Sequence, residues 1–400
     1  MTAGDLRVIS IGLDPTIALA DPSKGSRGDS RRRQEEYASL VVSYTAIVKT
    51  PESSLYREHR WGRHAILPTL SRRRWSFPVD AYRLAARQCR TQGADLVVTQ
   101  DPFFTGAVGY AIKQRYGVPL CVQIHSDNIG SEWWLRESTR NRLMEPMGRW
   151  LVRRADTVQV VSNTIAGRLT KCGVAPERIW NIMAAGGIDV ALYRDADGSR
   201  IRAQLLGDRH KRLALFVGRF VKVKDLPSLL EAASLVVKEQ RDTVFVLIGD
   251  GEERSTVEEL SRRYQLQDNV VLPGGISADR MPGYFAACDL FVMSSLYEGK
   301  ARTLVEAACA GKPIVSTAVS GADEVVTDGE TGFIVPVRDP AGLADRMLQL
   351  LRDADLARSM GLRGQELAAN AYDRQRHLNK IAQMWEATAK CRTAAEGMGR

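Results

Sequence analysis

The sequence predicts an α/β protein built from two doubly wound parallel-sheet domains. Three observations carry this. Short Val/Ile/Leu runs are apolar along their whole length instead of alternating, as expected of parallel strands buried on both faces. Longer amphipathic stretches separate them, and the series starts again after residue 211. A single closed barrel needs eight even βα units. The long segments 12–33 and 49–80 break that regularity.

The elements follow in order. Leu6 to Ile11 reads as a buried strand, followed by a Gly/Ser/Arg-rich loop to about Arg33. Gln34 to Ala46 reads as a helix. Asp95 to Gln100 is a strand, Gly106 to Tyr116 a helix, and Pro119 to His125 and Thr157 to Val161 are strands. The second series runs from a strand at Arg212 to Val217, through a helix at Pro227 to Lys238, to a strand at Val244 to Ile248. A helix at Glu252 to Tyr264 and a short strand at Val270 to Leu272 follow. Strands at Leu290 to Met293, Pro313 to Thr317 and Gly332 to Val335 complete it, with a helix at Leu304 to Ala310. The tail from Arg374 to Lys390 is amphipathic. These elements place an N-terminal domain over 1–187, a linker over 188–210, a second domain over 211–373 and a terminal helix over 374–400.

Composition narrows the class. Of 400 residues, 44% are hydrophobic and 26% charged, which excludes a disordered, collagen-like or disulfide-scaffold chain. Residues 1–200 carry 29 Lys and Arg against 20 Asp and Glu, whereas residues 201–400 balance at 27 and 27. The whole excess of +9 therefore lies in the first half, where it suits an anionic partner or a solubilising surface. The six cysteines are scattered without CxxC spacing, so no metal or redox centre is expected. Their pattern suits a reducing compartment, and no signal-peptide stretch opens the chain. A cytoplasmic location follows as the expectation, with any membrane contact peripheral.

The second half holds the chemistry. Gly218, Arg219 and Lys224 follow a strand, at the carboxyl edge where α/β sheets bind ligands. Glycine admits close backbone approach, and two cations there suit a diphosphate; two solvated surface charges would read the same. Glu298 and Glu306 bracket a loop that opens a helix near Thr303, whose free N–H groups can face an anion. Carboxylates accept sugar hydroxyls, which assigns ribose to Glu306 and a sugar to Glu298. Glu306 equally reads as a first-turn Glu favoured by the helix dipole, and Glu298 as an exposed loop carboxylate. Asp195-Ala-Asp197 lacks strand context and reads as linker charge. No GxGxxG follows the first strand, which argues against a dehydrogenase.

As an ordered set the second-half motifs are specific. Gly218-Arg219 with Lys224, then Gly249-Asp250-Gly251, Glu298-Gly299 with Glu306, Gly311-Lys312-Pro313, and Gly321 to Phe333 resemble the C-terminal half of retaining family 4 glycosyltransferases with the GT-B fold. The resemblance covers about Leu213 to Leu351. It implies two Rossmann-like domains facing a central cleft and an NDP-sugar donor, UDP or GDP, bound without metal or cofactor. It places Arg219 and Lys224 on the diphosphate, Glu306 on ribose and Glu298 on the sugar. Gly299, Lys300, Ala301, Arg302, Thr303 and Leu304 would line the sugar-phosphate loop, with the nucleobase near Gly274 and Gly275. Lys300 and Arg302 depart from the family's small or aromatic residues, and suit phosphate oxygens or a carboxylate on a sugar. The terminal helix, by analogy, packs back on the first domain.

The first half matches less well. Gly25 and Gly28 stand where the family's glycine loop is expected, without its adjacent Gly-Gly pair. His125 matches a position where relatives carry a histidine near the donor sugar, and a structural histidine at a strand end reads the same. The clusters Arg31 to Arg33 and Arg72 to Arg74, interleaved with Trp61, Trp75, Phe77, Trp133 and Trp134, suit an interfacial surface or plain solvated charge. With a glycosyltransferase implied, the acceptor expected is a glycan, a lipid-linked sugar or another small molecule, at the inner membrane face and not a nucleic acid. A sugar-nucleotide epimerase of similar architecture and a non-catalytic carbohydrate- or polyanion-binding protein remain alternatives.

Overall fold

The first sheet is built, in chain order, from β1 (Arg7–Gly12), β2 (Ser43–Val48), β3 (His59–Trp61), β4 (His64–Pro68), β5 (Leu96–Thr99), β6 (Leu120–Ile124), β7 (Thr157–Val160) and β8 (Ile179–Asn181). The computed structural model describes residues 2–21, 30–73, 75–183, 188–207 and 212–397. Gly25, Gly28, Gly186, Gly187 and Arg74 lie outside them. The chain divides into two units, residues 1–186 with 375–400, and residues 187–374.

In the first unit the spatial order is β3-β4-β2-β1-β5-β6-β7-β8. All pairings are parallel except β3 with β4. Every residue of β2, β5, β6 and β7 is buried, because helices or loops cover both faces. Ile9, Val97 and Val122 pack on one face, under helices that include Phe77–Thr91 and Phe104–Tyr116. Val8, Tyr44, Ile66 and Cys121 pack on the other.

That second face is closed by the helix Arg374–Gly397. Ile381, Met384 and Trp385, spaced i, i+3, i+4, turn one stripe of it inward. Trp385 stacks on Tyr44 at 6.1 Å and meets Tyr37 edge-on at 5.8 Å. Its indole N–H is buried without a partner among the described residues. Trp385→Ala is expected to destabilise this unit by about 3–5 kcal/mol. Trp385→Phe, which removes the unpaired donor and keeps the ring, should cost clearly less. Urea unfolding of both variants measures the difference.

The second sheet contains β9 (Arg212–Val217), β10 (Thr243–Ile248), β11 (Val270–Gly274), β12 (Leu290–Met293), β13 (Ile314–Thr317) and β14 (Gly332–Val335). The order is β11-β10-β9-β12-β13-β14, parallel throughout. The strand order reverses between β9 and β12, which opens a crevice at their carboxyl ends.

Two expectations fail. Ser43 to Ala46 belong to β2, not to a helix that started at Gln34; that helix is Ser30–Ser39. Val41, Val42, Thr45, Ile47 and Val48 are β-branched, and their packing outweighs the apolar periodicity that continued from Tyr37. Residues 188–207 are not an open linker. They carry helices Val190–Arg194 and Ser199–Leu206, which pack in the second unit, where Tyr193 is buried edge-on against Phe285 at 5.7 Å.

Candidate functional site

The carboxyl ends of β9, β10, β11, β12 and β13 share one edge of the second sheet. Gly218 N–H donates to the Ile248 carbonyl at 2.9 Å, and Gly249 N–H to that of Gly274 at 2.9 Å. Gly249 has φ +148°, and a Cβ there would lie 1.8 Å from the Gly218 carbonyl oxygen. Only glycine lets the two turns touch. Phe220, fully buried against Phe216, anchors the chain just past Arg219. Arg219 itself is exposed, with no carboxylate paired to it among the described residues.

Lys224 closes a short 3-10 turn and pairs with Glu298 Oε1, 74 residues away. Ser295 Oγ donates to the same oxygen at 2.8 Å. Ser294 Oγ donates to the Lys224 carbonyl at 2.8 Å, and Thr317 Oγ1 to the Ser295 carbonyl at 2.6 Å. The loops after β9, β12 and β13 are thus locked together, and Glu298 is held by one cation and one hydroxyl. An ordered carboxylate beside cations is prepared for a polar ligand before one arrives.

The helix Arg302–Cys309 begins at the end of that loop. Its N-cap, Ala301, supplies no side-chain cap. Thr303 stands in the first turn, and Gly299 is buried. Leu304 is fully buried, so its side chain belongs to the core. Glu306 is buried, with Oε1 accepting from Arg302 Nε at 2.8 Å. Lys300 Nζ donates to Glu324 Oε2 at 2.9 Å and lies 5.2 Å from the Tyr372 ring centroid. Both departures from the family pattern are therefore matched by carboxylates. Gly274 ends β11 at φ +79°, and exposed Gly275 follows it.

Ser294, Ser295, Thr317, Gly249 and Glu324 escaped the residue-level reading. Gly249 and Glu324 lay inside motifs already recognised. Ser294-Ser295 directly after the apolar run of β12 was the available signal for the others.

In the first unit His125 follows β6. It is half-buried, with Nδ1 sealed from solvent and unpartnered among the described residues. Burial, reinforced by the Arg33 charge, pushes its pKa down to about 4. His377 is buried against Tyr37 OH at 3.2 Å and is likewise held at about 4 by burial and Arg33. Both rings stay neutral in the fold yet accept protons near pH 6.5 once unfolded. The unfolded chain then binds more protons, so stability falls as pH drops from about 6.5 toward about 4. Thermal midpoints across that range should decline, and His377→Phe should flatten the decline; an unchanged slope would contradict the assignment.

The basic clusters of this unit are partly compensated. Arg31 and Arg32 pair with Glu35 and Glu36 at 3.5 and 3.4 Å. Arg72 reaches Glu52 at 3.4 Å, and Arg73 lies 5.5 Å from the ring centroid of Trp75, which is 70% exposed. Among the described residues no group of His, Cys, Asp or Glu is placed to hold a metal, and no helix is long and apolar enough to cross a membrane.

Two doubly wound parallel-sheet units, the second with a cationic loop at its strand ends, define a protein of the GT-B class. Solved structures agree on the fold. Sucrose-phosphate synthase from Thermosynechococcus elongatus superposes with a TM-score of 0.79 at 21% identity, over 95% of this chain and 98% of that one. HepE from Anabaena, solved in complex with UDP, gives 0.75 at 19% identity, over 96% and 100%. Two family models match, "Glycosyltransferase Family 4" over residues 35–182 and "Glycosyl transferases group 1" over 197–367. Alpha-D-kanosaminyltransferase from Streptomyces kanamyceticus is 29% identical over 66% of this chain and 69% of its own length. N-acetyl-alpha-D-glucosaminyl L-malate synthase from Bacillus anthracis is 29% identical over 64% and 65%, just under two thirds of the synthase. D-inositol 3-phosphate glycosyltransferase from Salinispora tropica is 29% identical over 78% and 68%. The chain belongs to the family 4 glycosyltransferases.

Proposed function

We propose that this glycosyltransferase moves a sugar from an NDP-sugar, UDP- or GDP-linked, to a glycan, lipid-linked or small acceptor with retention at the anomeric carbon. The observation that carries this is exposed Arg219, without a carboxylate partner among the described residues, in the same loop as the locked Lys224–Glu298 pair at the β9/β12 reversal. As the glycosidic bond lengthens, charge accumulates on the leaving diphosphate. Arg219, Lys224 and the free N–H groups of the helix Arg302–Cys309 neutralise it without reorganising. Glu298, already oriented by Lys224 and Ser295, accepts a hydroxyl of the transferred sugar. Glu306 serves the ribose, and Lys300 and Arg302, engaged by carboxylates, shape the loop. His125 serves the transferred sugar or the acceptor as a neutral hydrogen-bonding group. UDP in the HepE complex and the sugar-transfer names of the relatives support this reading.

The first unit takes the acceptor. With 32 Lys and Arg against 19 Asp and Glu, its excess of +13 suits an anionic acceptor, and exposed Trp75 with Arg72 and Arg73 suits peripheral contact with an anionic membrane face. Vesicle co-sedimentation that ignores anionic lipid content would remove the membrane part. The main test is a panel of UDP-, GDP- and ADP-sugars with NMR of the product anomer. Transfer from at least one donor with retained configuration is expected. Binding to none overturns the donor assignment, an inverted product overturns retention, and acceptor-independent sugar isomerisation favours an epimerase.

A further inference from the structure

A second cationic cavity lies at the opposite edge of the second sheet, where β9, β12 and β13 begin. It encloses about 220 Å³ and is lined by Arg212, Asp289, Lys312 and Arg358, with Cys288 and Leu351 among its apolar walls. Because the strands are parallel, this edge is a full strand length from Arg219 and Glu298.

Its charges are unbalanced. Arg212 Nε donates to the Leu351 carbonyl at 3.0 Å, and Lys312 Nζ to the Ala286 carbonyl at 2.8 Å. These neutral acceptors orient the two cations without cancelling their charge. Arg358 is exposed at the rim. None of the three is ion-paired among the described residues. The one carboxylate among the described lining residues, Asp289, is already used: its Oδ2 accepts from Leu213 N–H at 2.7 Å and from Arg202 at 3.1 Å. The Cys288 thiol, pushed up to about 12 by burial, stays uncharged.

Three cations lining one small cavity repel one another, and an anion among them relieves that cost. Two guanidinium forks and an ammonium match the several oxygens of a phosphate group better than a single carboxylate. The volume lies below the roughly 300 Å³ at which drug-sized ligand sites begin, so the occupant is small. We propose that this cavity binds a phosphate group, as inorganic phosphate or as the phosphoryl end of a small metabolite, at a site separate from the donor loop.

The test titrates inorganic phosphate and ribose 5-phosphate calorimetrically, at fixed ionic strength, into Arg219→Ala protein, which weakens anion binding at the donor loop. Saturable binding is expected there, weakened about tenfold or more when Arg358→Glu or Lys312→Gln is added. Arg358 is exposed, so its variant should fold even if Lys312→Gln does not, and the thermal midpoint checks this. Tighter binding of ribose 5-phosphate identifies a metabolite as the occupant, and equal or weaker binding identifies the free ion. Absence of saturable binding, or binding indifferent to Arg358→Glu, overturns the proposal. Neither readout depends on sugar transfer, so the result stands apart from the donor assignment.

Discussion

Arg219→Ala is expected to lower kcat/KM for sugar transfer by about 10²–10³-fold, the cost of removing one preorganised donor from a developing oxyanion, about 3–4 kcal/mol. Fold stability should hold, because Arg219 is exposed and unpaired among the described residues; such surface changes stay within about 0.5 kcal/mol. The division between kcat and KM carries the mechanism. A fall mainly in kcat means that the contact strengthens as the diphosphate leaves, whereas a rise in KM alone means that it binds substrate and transition state equally. Steady-state kinetics with the preferred donor, alongside a melting curve, separates these outcomes. Undiminished turnover would remove Arg219 from the site.

Gly249→Ala is expected to damage both fold and site. The new Cβ would lie 1.8 Å from the Gly218 carbonyl oxygen and 2.9 Å from its carbon, at φ +148°. The obstacle is backbone, so no rotamer change relieves it. β9 and β10 must separate at their carboxyl ends, at a cost of about 3 kcal/mol or more. The same movement displaces Gly218 and Arg219, so the folded fraction should also bind donor more weakly. Gly117→Ala is the control. It has φ +64° with nothing within 4 Å of the added Cβ, so only the backbone term of about 1–2 kcal/mol applies. Urea unfolding of the two variants should differ by the steric part. Equal losses would show that Gly249 is not a contact point between the turns.

Much of the second unit was readable from sequence, because most of its strands, β11 excepted, are largely buried apolar runs with glycine punctuation. β9, β12 and β14 begin and end where the sequence reading placed them. The first unit hid more. The β3–β4 hairpin sits inside the segment 49–80, which read as irregular. Its first strand has three residues, too few to show alternation, and the one cue was Gly62 at φ +57° between paired Trp61 and His64. Within the site, residue types were readable but their couplings were not. Arg302 and Glu306 stand four apart on the helix Arg302–Cys309, a spacing that favours their pairing, but the sequence reading opened that helix near Thr303 and left Arg302 in the loop. Lys224 with Glu298, and Lys300 with Glu324, join residues 74 and 24 apart, and only the tertiary fold brings them together.

The central claim is that the carboxyl edge of the second sheet holds a nucleoside diphosphate. A co-crystal structure with UDP or GDP tests this most directly. Diphosphate oxygens are expected against Arg219 and Lys224, in the loop after β9, with ribose hydroxyls on Glu306. A nucleotide seated elsewhere, with Arg219 and Lys224 untouched, would contradict it.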